Sequence, residues 1–389
     1  MRILYVYFHS FEDMPYHVRE WVEAAIGSGI EVVVVTSVSE EFLDSIGWTG
    51  RVEVRQVEYP GSGFVNNLKL SRRFAAAVAE ELGKGEYDLV YERFSTVSPA
   101  VAKAVSARGV PHCVEINGII ENELKLSGAS WARRAWFVRA QRAVFAEGVC
   151  VVAVTERIKE WIVERYGVPE KRVAAFSNGV NPERFKPMPK VDSRRRFGIS
   201  EDGFVLGFLG SLYPWCGLDR LVEAASMMSE EERGGIFFMV GGGQEPMKSD
   251  LERLASEKGV SEIFLFSGRI PWCDAAEYIS CFDVAVSLKL PTGGMSFSPL
   301  KLYAYMACSK PVLAADTLGM EDLKPRDVGL FLPPSLSPAE IADGIRVFRA
   351  MSDDERDGMG LRARRLSEER YSWKSIVEGT LKWFAEVSA

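Results

Sequence analysis

Ser296-Phe-Ser-Pro-Leu-Lys-Leu-Tyr-Ala-Tyr-Met-Ala307 is the stretch on which the fold reading turns. Ahead of it, Val284-Ala-Val-Ser-Leu288 has the length and β-branched content of a buried strand. Pro291-Thr-Gly-Gly-Met295 then makes a loop whose two glycines are free to take positive φ. Ser298 and Pro299 read as the N-cap and first residue of a helix, because proline gives up an N–H that a helix start leaves unpaired anyway. Pro311-Val-Leu-Ala-Ala315 supplies the next strand. The result is a strand–loop–helix–strand unit. Its helix N-terminus offers free N–H groups and partial positive charge to an anion such as a nucleotide phosphate. A crossover that binds nothing fits the same stretch equally well.

The same alternation runs outward in both directions. Toward the N-terminus, apolar runs at Ile3–Phe8, Glu31–Thr36, Val52–Tyr59, Asp88–Glu92, His112–Asn117, Val149–Val154 and Arg172–Phe176 read as strands. Helical patterns lie between them, at His17–Ile26 and Asn66–Leu82 among others. A Pro- and charge-rich passage, Pro182–Gly203, reads as a linker. Beyond it, Phe204–Gly210, Ile236–Gly243, Ile263–Gly268 and Gly329–Leu332 join the two strands around the opening stretch, and the chain ends in helices, the last near Trp373–Val387. Continuous apolar strands alternating with helices mean parallel sheets covered on both faces. The first β–loop–α–β unit lacks the glycine-rich dinucleotide fingerprint.

The 389 residues are enough for two such domains. A net charge of −7 argues against broad nucleic-acid binding. Six cysteines without a CxxC pair or zinc spacing lead us to expect reduced, buried thiols in a cytosolic protein. The N-terminal apolar run is too short for a signal peptide, and no window reaches transmembrane length. Glutamine occurs only at positions 56, 141 and 244, a weak hint of a thermophilic source.

Taken together, several motifs resemble the family 4 glycosyltransferases. They run in the family's order over nearly the whole chain: His17-Val-Arg-Glu, Asp88-Leu-Val-Tyr-Glu-Arg93, Val114-Glu-Ile-Asn-Gly118, Ser177-Asn-Gly-Val-Asn-Pro182, Phe208-Leu-Gly-Ser-Leu-Tyr-Pro-Trp-Cys-Gly217, Val240-Gly-Gly-Gly243, Phe266-Ser-Gly-Arg-Ile270 and the opening stretch. The resemblance implies an α/β protein of the GT-B fold, with two Rossmann-like parallel-sheet domains facing across a cleft. Residues 1–184 with a returning helix at 371–389 would take the acceptor, and residues 185–370 a nucleotide-sugar donor. It also implies a hexosyltransferase that needs no metal and no cofactor besides the nucleotide-sugar co-substrate.

Residue by residue, the resemblance puts the donor diphosphate near Gly210, Ser211, Cys216 and Gly217, and the base against the backbone of Gly243, Arg269 and Ile270. Ser296, Ser298, Leu300, Lys301 and Ala304 follow around the opening helix. On the acceptor side it offers Glu115, Asn117 and Gly118 at a strand end, for which capping or a turn is the plainer role, and His17, which either lines the cleft or caps its helix.

Four departures stand out. The family's paired glutamates fall at Ser296 and Ala304, and its Arg and Lys (or His) of the diphosphate site fall at Ser211 and Cys216. A neutral thiol does not replace a cation. Lys301 is then the cation left for the phosphates, with a solvated surface lysine as the alternative. Two functions follow. One is a retaining transferase acting on a lipid, glycan or small-molecule hydroxyl. The other is a catalytically degenerate protein that binds a ligand or a protein partner. A sugar-nucleotide epimerase of the same fold fits the motif order less well. Trp131-Ala-Arg-Arg-Ala-Trp-Phe-Val-Arg-Ala-Gln-Arg142 completes the list: this basic, aromatic helix reads first as packed on the sheet with a solvated Arg face, and second as a peripheral contact with anionic lipid at the inner face of a membrane.

Overall fold

The computed structural model describes residues 1–8, 14–61, 63–93, 98–243, 245–290, 298–317 and 323–388. Contacts divide the chain into two compact units. One comprises Met1–Asn178, Met295–Ser298 and Trp373–Ala389, the other Gly179–Gly294 and Pro299–Ser372.

The first unit is built on seven parallel strands: β1 (Arg2–Tyr7), β2 (Glu31–Thr36), β3 (Glu53–Gln56), β4 (Leu89–Arg93), β5 (His112–Ile116), β6 (Cys150–Ala153) and β7 (Val173–Ala175). Their order is 3-2-1-4-5-6-7. Helices cover both faces, so β1 and β2 can be almost wholly apolar, as their buried Val and Ile side chains show. The expected third strand, Val52–Tyr59, shortens to Glu53–Gln56 because this edge strand has only β2 to pair with. The C-terminal helix Trp373–Ser388 belongs to this unit. It buries Trp373, Ile376, Val377, Leu381 and Phe384, with Trp383 against Phe176 at 6.3 Å.

The second unit holds six parallel strands: β8 (Phe204–Leu209), β9 (Ile236–Gly241), β10 (Phe264–Gly268), β11 (Val284–Ser287), β12 (Val312–Ala315) and β13 (Gly329–Leu332). Their order is 10-9-8-11-12-13.

Two expectations are corrected here. Pro182–Gly203 is not a linker. It carries the helix Lys190–Phe197, and Arg194 on that helix is 1% exposed. Its guanidinium donates to the carbonyls of Cys281 (3.0 Å), Glu201 (2.7 Å) and Gly203 (2.8 Å) and to the Asp283 carboxylate (2.7 Å). Four acceptors for one buried cation make this passage part of the second unit's core. Nor does Ser298 cap the opening helix. That helix is Leu300–Ala307 with Pro299 at its N-cap and no side-chain cap, while the Ser298 hydroxyl accepts the Asn178 N–H at 3.0 Å. The hydroxyl is turned toward the loop at Asn178 instead of the helix start. The Pro291–Met295 loop and Ser296 lie outside the described residues. Of the six free cysteines, five are buried as expected and Cys273 is exposed.

Candidate functional site

In the second sheet the chain leaves β8 to build β9 and β10 on one side, then returns to build β11, β12 and β13 on the other. The carboxyl ends of β8 and β11 therefore flank a topological switch point, where neighbouring connections diverge and open a crevice. The residues found there are Gly210, Ser211, Lys289 and, on the helix behind them, Lys301.

Gly210 closes β8 with φ 153°, its N–H on the Gly241 carbonyl at 3.0 Å. A Cβ at this position would collide with the Lys301 side chain, so the glycine makes room for the lysine stem. Lys301 is half-buried, which removes the solvated surface alternative. Its Nζ lies 4.5 Å above the Phe208 ring and 3.9 Å from the Cys216 Sγ. The thiol in turn donates to the Ser211 carbonyl at 3.4 Å. Burial holds the Lys301 ammonium below its ordinary value, against a smaller upward pull from Cys216. Lys289, also half-buried, is pushed down to about 8 by burial and then by the charge of Lys301. Two desolvated cations and a thiol thus share the switch point.

The loop around Cys216 is fixed by its backbone. Leu290 N–H donates to the Trp215 carbonyl at 2.8 Å, and Gly217 sits in the left-handed region (φ 67°) because a Cβ there would strike the Leu288 carbonyl. Gly217 then starts the helix Leu218–Met227. Tyr305 ties the Leu300–Ala307 helix to the end of β8: its hydroxyl accepts from Leu209 N–H (2.9 Å) and donates to the Leu209 carbonyl (3.0 Å). Leu300 and Ala304 on the same helix are half-buried.

The rim continues along β9 and β10. Gly242 N–H donates to the Gly268 carbonyl at 2.7 Å. The Arg269 backbone runs 3.1 Å from where a Gly243 Cβ would be, and Ile270 comes equally close to Gly241 (3.2 Å). The Arg269 side chain is exposed. Gly210, Ser211, Cys216, Gly217 and Lys301 therefore form one cluster, with Gly243, Arg269 and Ile270 on an adjoining rim. Ser298 belongs to the other unit.

In the first unit, Glu115 on β5 is buried and fully engaged. Its Oε2 accepts from the Tyr91 hydroxyl at 2.8 Å, and its Oε1 from Arg93 (2.6 Å) and the Asn117 amide (2.7 Å). Asn117 thus serves Glu115 rather than a cap. Beneath the carboxylate, Tyr5, Trp21 and Tyr91 stack with centroids 4.5–5.5 Å apart. Burial first, then the Glu115 charge, drives the Tyr5 phenol well up. Gly118 leaves the space that the Glu123 carboxylate occupies. His17 is half-buried in the first turn of the helix Tyr16–Gly27, which starts behind Pro15 without a side-chain cap. Arg93 and Tyr91 are the residues that sequence reasoning passed over here. In the second unit it passed over Lys289, Phe208 and Tyr305. Lys289 had a legible signal, a cation directly after a buried strand.

Residues 14–184 match the family model Glycosyltransferase Family 4, and residues 190–366 match Glycosyl transferases group 1. The chain is 29% identical over 367 residues to the D-inositol 3-phosphate glycosyltransferase of Geodermatophilus obscurus, covering 90% of this chain and 79% of that one. It is 26% identical over 375 residues to the Frankia alni protein of the same description, covering 91% and 89%. Among solved structures, sucrose-phosphate synthase from Thermosynechococcus elongatus aligns with a TM-score of 0.75 at 18% identity, over 100% of this chain and 99% of that one. Anabaena HepE in complex with UDP and glucose aligns at 0.76 and 16% identity, over 99% and 100%. With two family models tiling most of its length and GT-B structures aligning end to end, the chain belongs with the family 4 glycosyltransferase-like proteins of the GT-B fold.

Proposed function

We propose that the protein is a retaining glycosyltransferase that moves a sugar from a nucleotide-sugar donor to an acceptor hydroxyl, with the donor diphosphate held at the switch point of the second unit. One observation carries this reading: Lys301 and Lys289 are both desolvated around Cys216, next to the backbone of Gly210 and Ser211. Desolvated ammonium groups gain most from an arriving anion, since it restores the charge stabilisation that burial removed. The Lys pair takes over from the Arg and Lys that the family resemblance expects at Ser211 and Cys216. As the leaving diphosphate gains charge, Lys301 and Lys289 stabilise it electrostatically. The backbone of Gly243, Arg269 and Ile270 is left to meet the base. The acceptor would be met by the unit that carries Arg93, Asn117 and His17. Glu115, with both oxygens engaged, positions Arg93 and Asn117 and is a poor general base.

The test is calorimetric titration with a panel of nucleoside diphosphates and nucleotide-sugars. UDP and UDP-glucose come first, since UDP and glucose occupy the aligned Anabaena structure. Lys301→Ala is expected to weaken the best ligand at least about tenfold, the loss of one charged hydrogen bond. Unchanged affinity removes Lys301 from the site. Product analysis by mass and anomeric configuration then tests transfer and retention.

A second reading, a ligand-binding or partner subunit without turnover, is favoured by Ala304. Its methyl group stands where the resemblance expects the carboxylate that holds the ribose hydroxyls. On that reading Ala304→Glu raises nucleotide affinity without producing transfer, and any transfer by the unaltered protein ends it.

A further inference from the structure

Outside the candidate site, the first unit carries a surface that the donor chemistry does not use. It is built from the starts of two helices, Phe64–Glu81 and Trp131–Ala146. These helices connect β3 to β4 and run from β5 toward β6, so both travel against the strands and both begin at the carboxyl edge of the sheet. Glu115 and Asn117 end β5 at that same edge.

The two helix starts are locked together. The Phe64 ring meets Trp136 edge-on at 5.7 Å and Phe137 at 6.4 Å, and Phe137 is buried with Leu124. Above this small core the side chains face outward. Trp131 is 77% exposed, Val65 63%, Trp136 44% and Phe64 37%. Phe64 and Trp136 touch, Val65 and Trp131 stand on the same two helix starts, and large apolar side chains gathered in solvent mark an interaction surface. The longer helix spends little of itself on the sheet, burying only Phe137, Ala140, Gln141 and Val144.

The starts of these two helices are basic. Trp131–Ala146 contains four arginines and no acid, and Phe64–Ala79 contains Lys69, Arg72 and Arg73 and no acid, in a chain whose net charge is −7. Arg133, Arg139, Lys69 and Arg72 are exposed; Arg73 pairs with Glu58 at 3.1 Å. Tryptophans ringed by cations match an anionic bilayer surface: the indoles settle at the headgroup level while the cations meet lipid phosphates. A second copy of this chain would present the same cations to themselves across a two-fold axis, which like charges oppose.

We infer that the tip formed by Phe64, Val65, Trp131 and Trp136 docks on an anionic lipid surface. This inference stands apart from the donor reading and concerns a different unit of the chain.

The test is co-sedimentation of the full chain with vesicles of phosphatidylcholine alone and of phosphatidylcholine mixed with phosphatidylglycerol. Binding to the mixed vesicles is expected, with little to the neutral ones and with loss at high salt. The double variant Trp131→Ser/Val65→Ser is expected to weaken binding several-fold, and Arg133→Gln/Arg139→Gln by about fivefold per charge removed. Trp131, Val65, Arg133 and Arg139 are exposed, and of these Arg133 lies over the Phe137 ring at 5.9 Å, so unchanged thermal unfolding checks that the variants keep the fold. Equal binding to neutral vesicles, no binding to the anionic ones, or full binding by both variants overturns the proposal. So does a concentration-dependent dimer that Trp131→Ser/Val65→Ser dissolves, since the surface is then covered by a second copy. Free inorganic phosphate that competes the protein off vesicles would reduce the contact to simple anion binding and also overturns it.

Discussion

Raising the pH from 7 to 9 is expected to weaken nucleoside diphosphate binding about tenfold, and the effect is traceable to Lys289. Burial and the neighbouring Lys301 charge place its ammonium at about 8. In the free protein about nine-tenths of the Lys289 population is charged at pH 7 and about one-tenth at pH 9. A bound diphosphate returns the lysine toward its ordinary value near 10.4, so the complex keeps its proton across this range. The ratio of charged fractions is then about ten, or roughly 1.4 kcal/mol. The ligand adds no slope of its own, because a terminal phosphate has lost its last proton by about pH 6. Stability of the ligand-free protein moves the other way. From about pH 8 up to the ordinary lysine range the unfolded chain holds a proton that the folded chain has released, so stability contributed by Lys289 rises with pH over that window. The assay is calorimetry at fixed ionic strength for the parent protein and Lys289→Met. The parent should fall in affinity through pH 8, and the variant should bind more weakly at pH 7 with a shallower slope. A flat profile in the parent, or an undiminished slope in Lys289→Met, refutes the assignment.

Further expectations concern the scaffold. Glu115→Ala strands the Arg93 guanidinium and frees Asn117 and Tyr91, costing about 3–5 kcal/mol and lowering the first calorimetric transition by roughly 6–20 °C; a shift under about 2 °C would mean the network is relaxed by water. Arg194→Met leaves three carbonyls and part of Asp283 without their donor, and urea unfolding should register a loss of about 3–5 kcal/mol. Gly210→Ala should depress nucleotide affinity at least about tenfold, because the new methyl group displaces the Lys301 stem; parent-like affinity would show that Lys301 need not lie against Gly210.

Both sheets could be read from apolar runs because fully buried parallel strands leave a continuous hydrophobic signature, and the Glu31–Thr36 and Gly329–Leu332 strands match residue for residue. The short-range record fails where a partner lies far along the chain. Three consecutive arginines at 194–196 look like a solvated run, and only Asp283 and the Cys281 carbonyl reveal Arg194 as a core residue. Ser298 has every local mark of an N-cap, yet Asn178 takes its hydroxyl. In the candidate site, the glycines were legible because they punctuate the turns after strands, and Lys301 because it stands at the start of a helix. Lys289 left only the signal of a cation just past a buried strand, and its meaning depends on burial beside Lys301 and Cys216. Glu115 was legible as a strand-end carboxylate, but its three donors were not.

The helix Trp373–Ser388 finishes a unit that begins at Met1, after the whole of Gly179–Gly294 and Pro299–Ser372 has intervened. During synthesis the first unit's sheet therefore emerges long before its last covering helix. At about 5–20 residues per second, the wait is on the order of ten seconds or more. Over that interval the surface destined for Trp373, Ile376, Val377, Leu381 and Phe384 faces solvent or a chaperone. The second unit carries no such delay, since every segment it needs has been made before the last helix appears. The two units therefore mature in the reverse of their order in the gene, and a ribosome that stops short of residue 373 releases a chain whose second unit is complete and whose first is not.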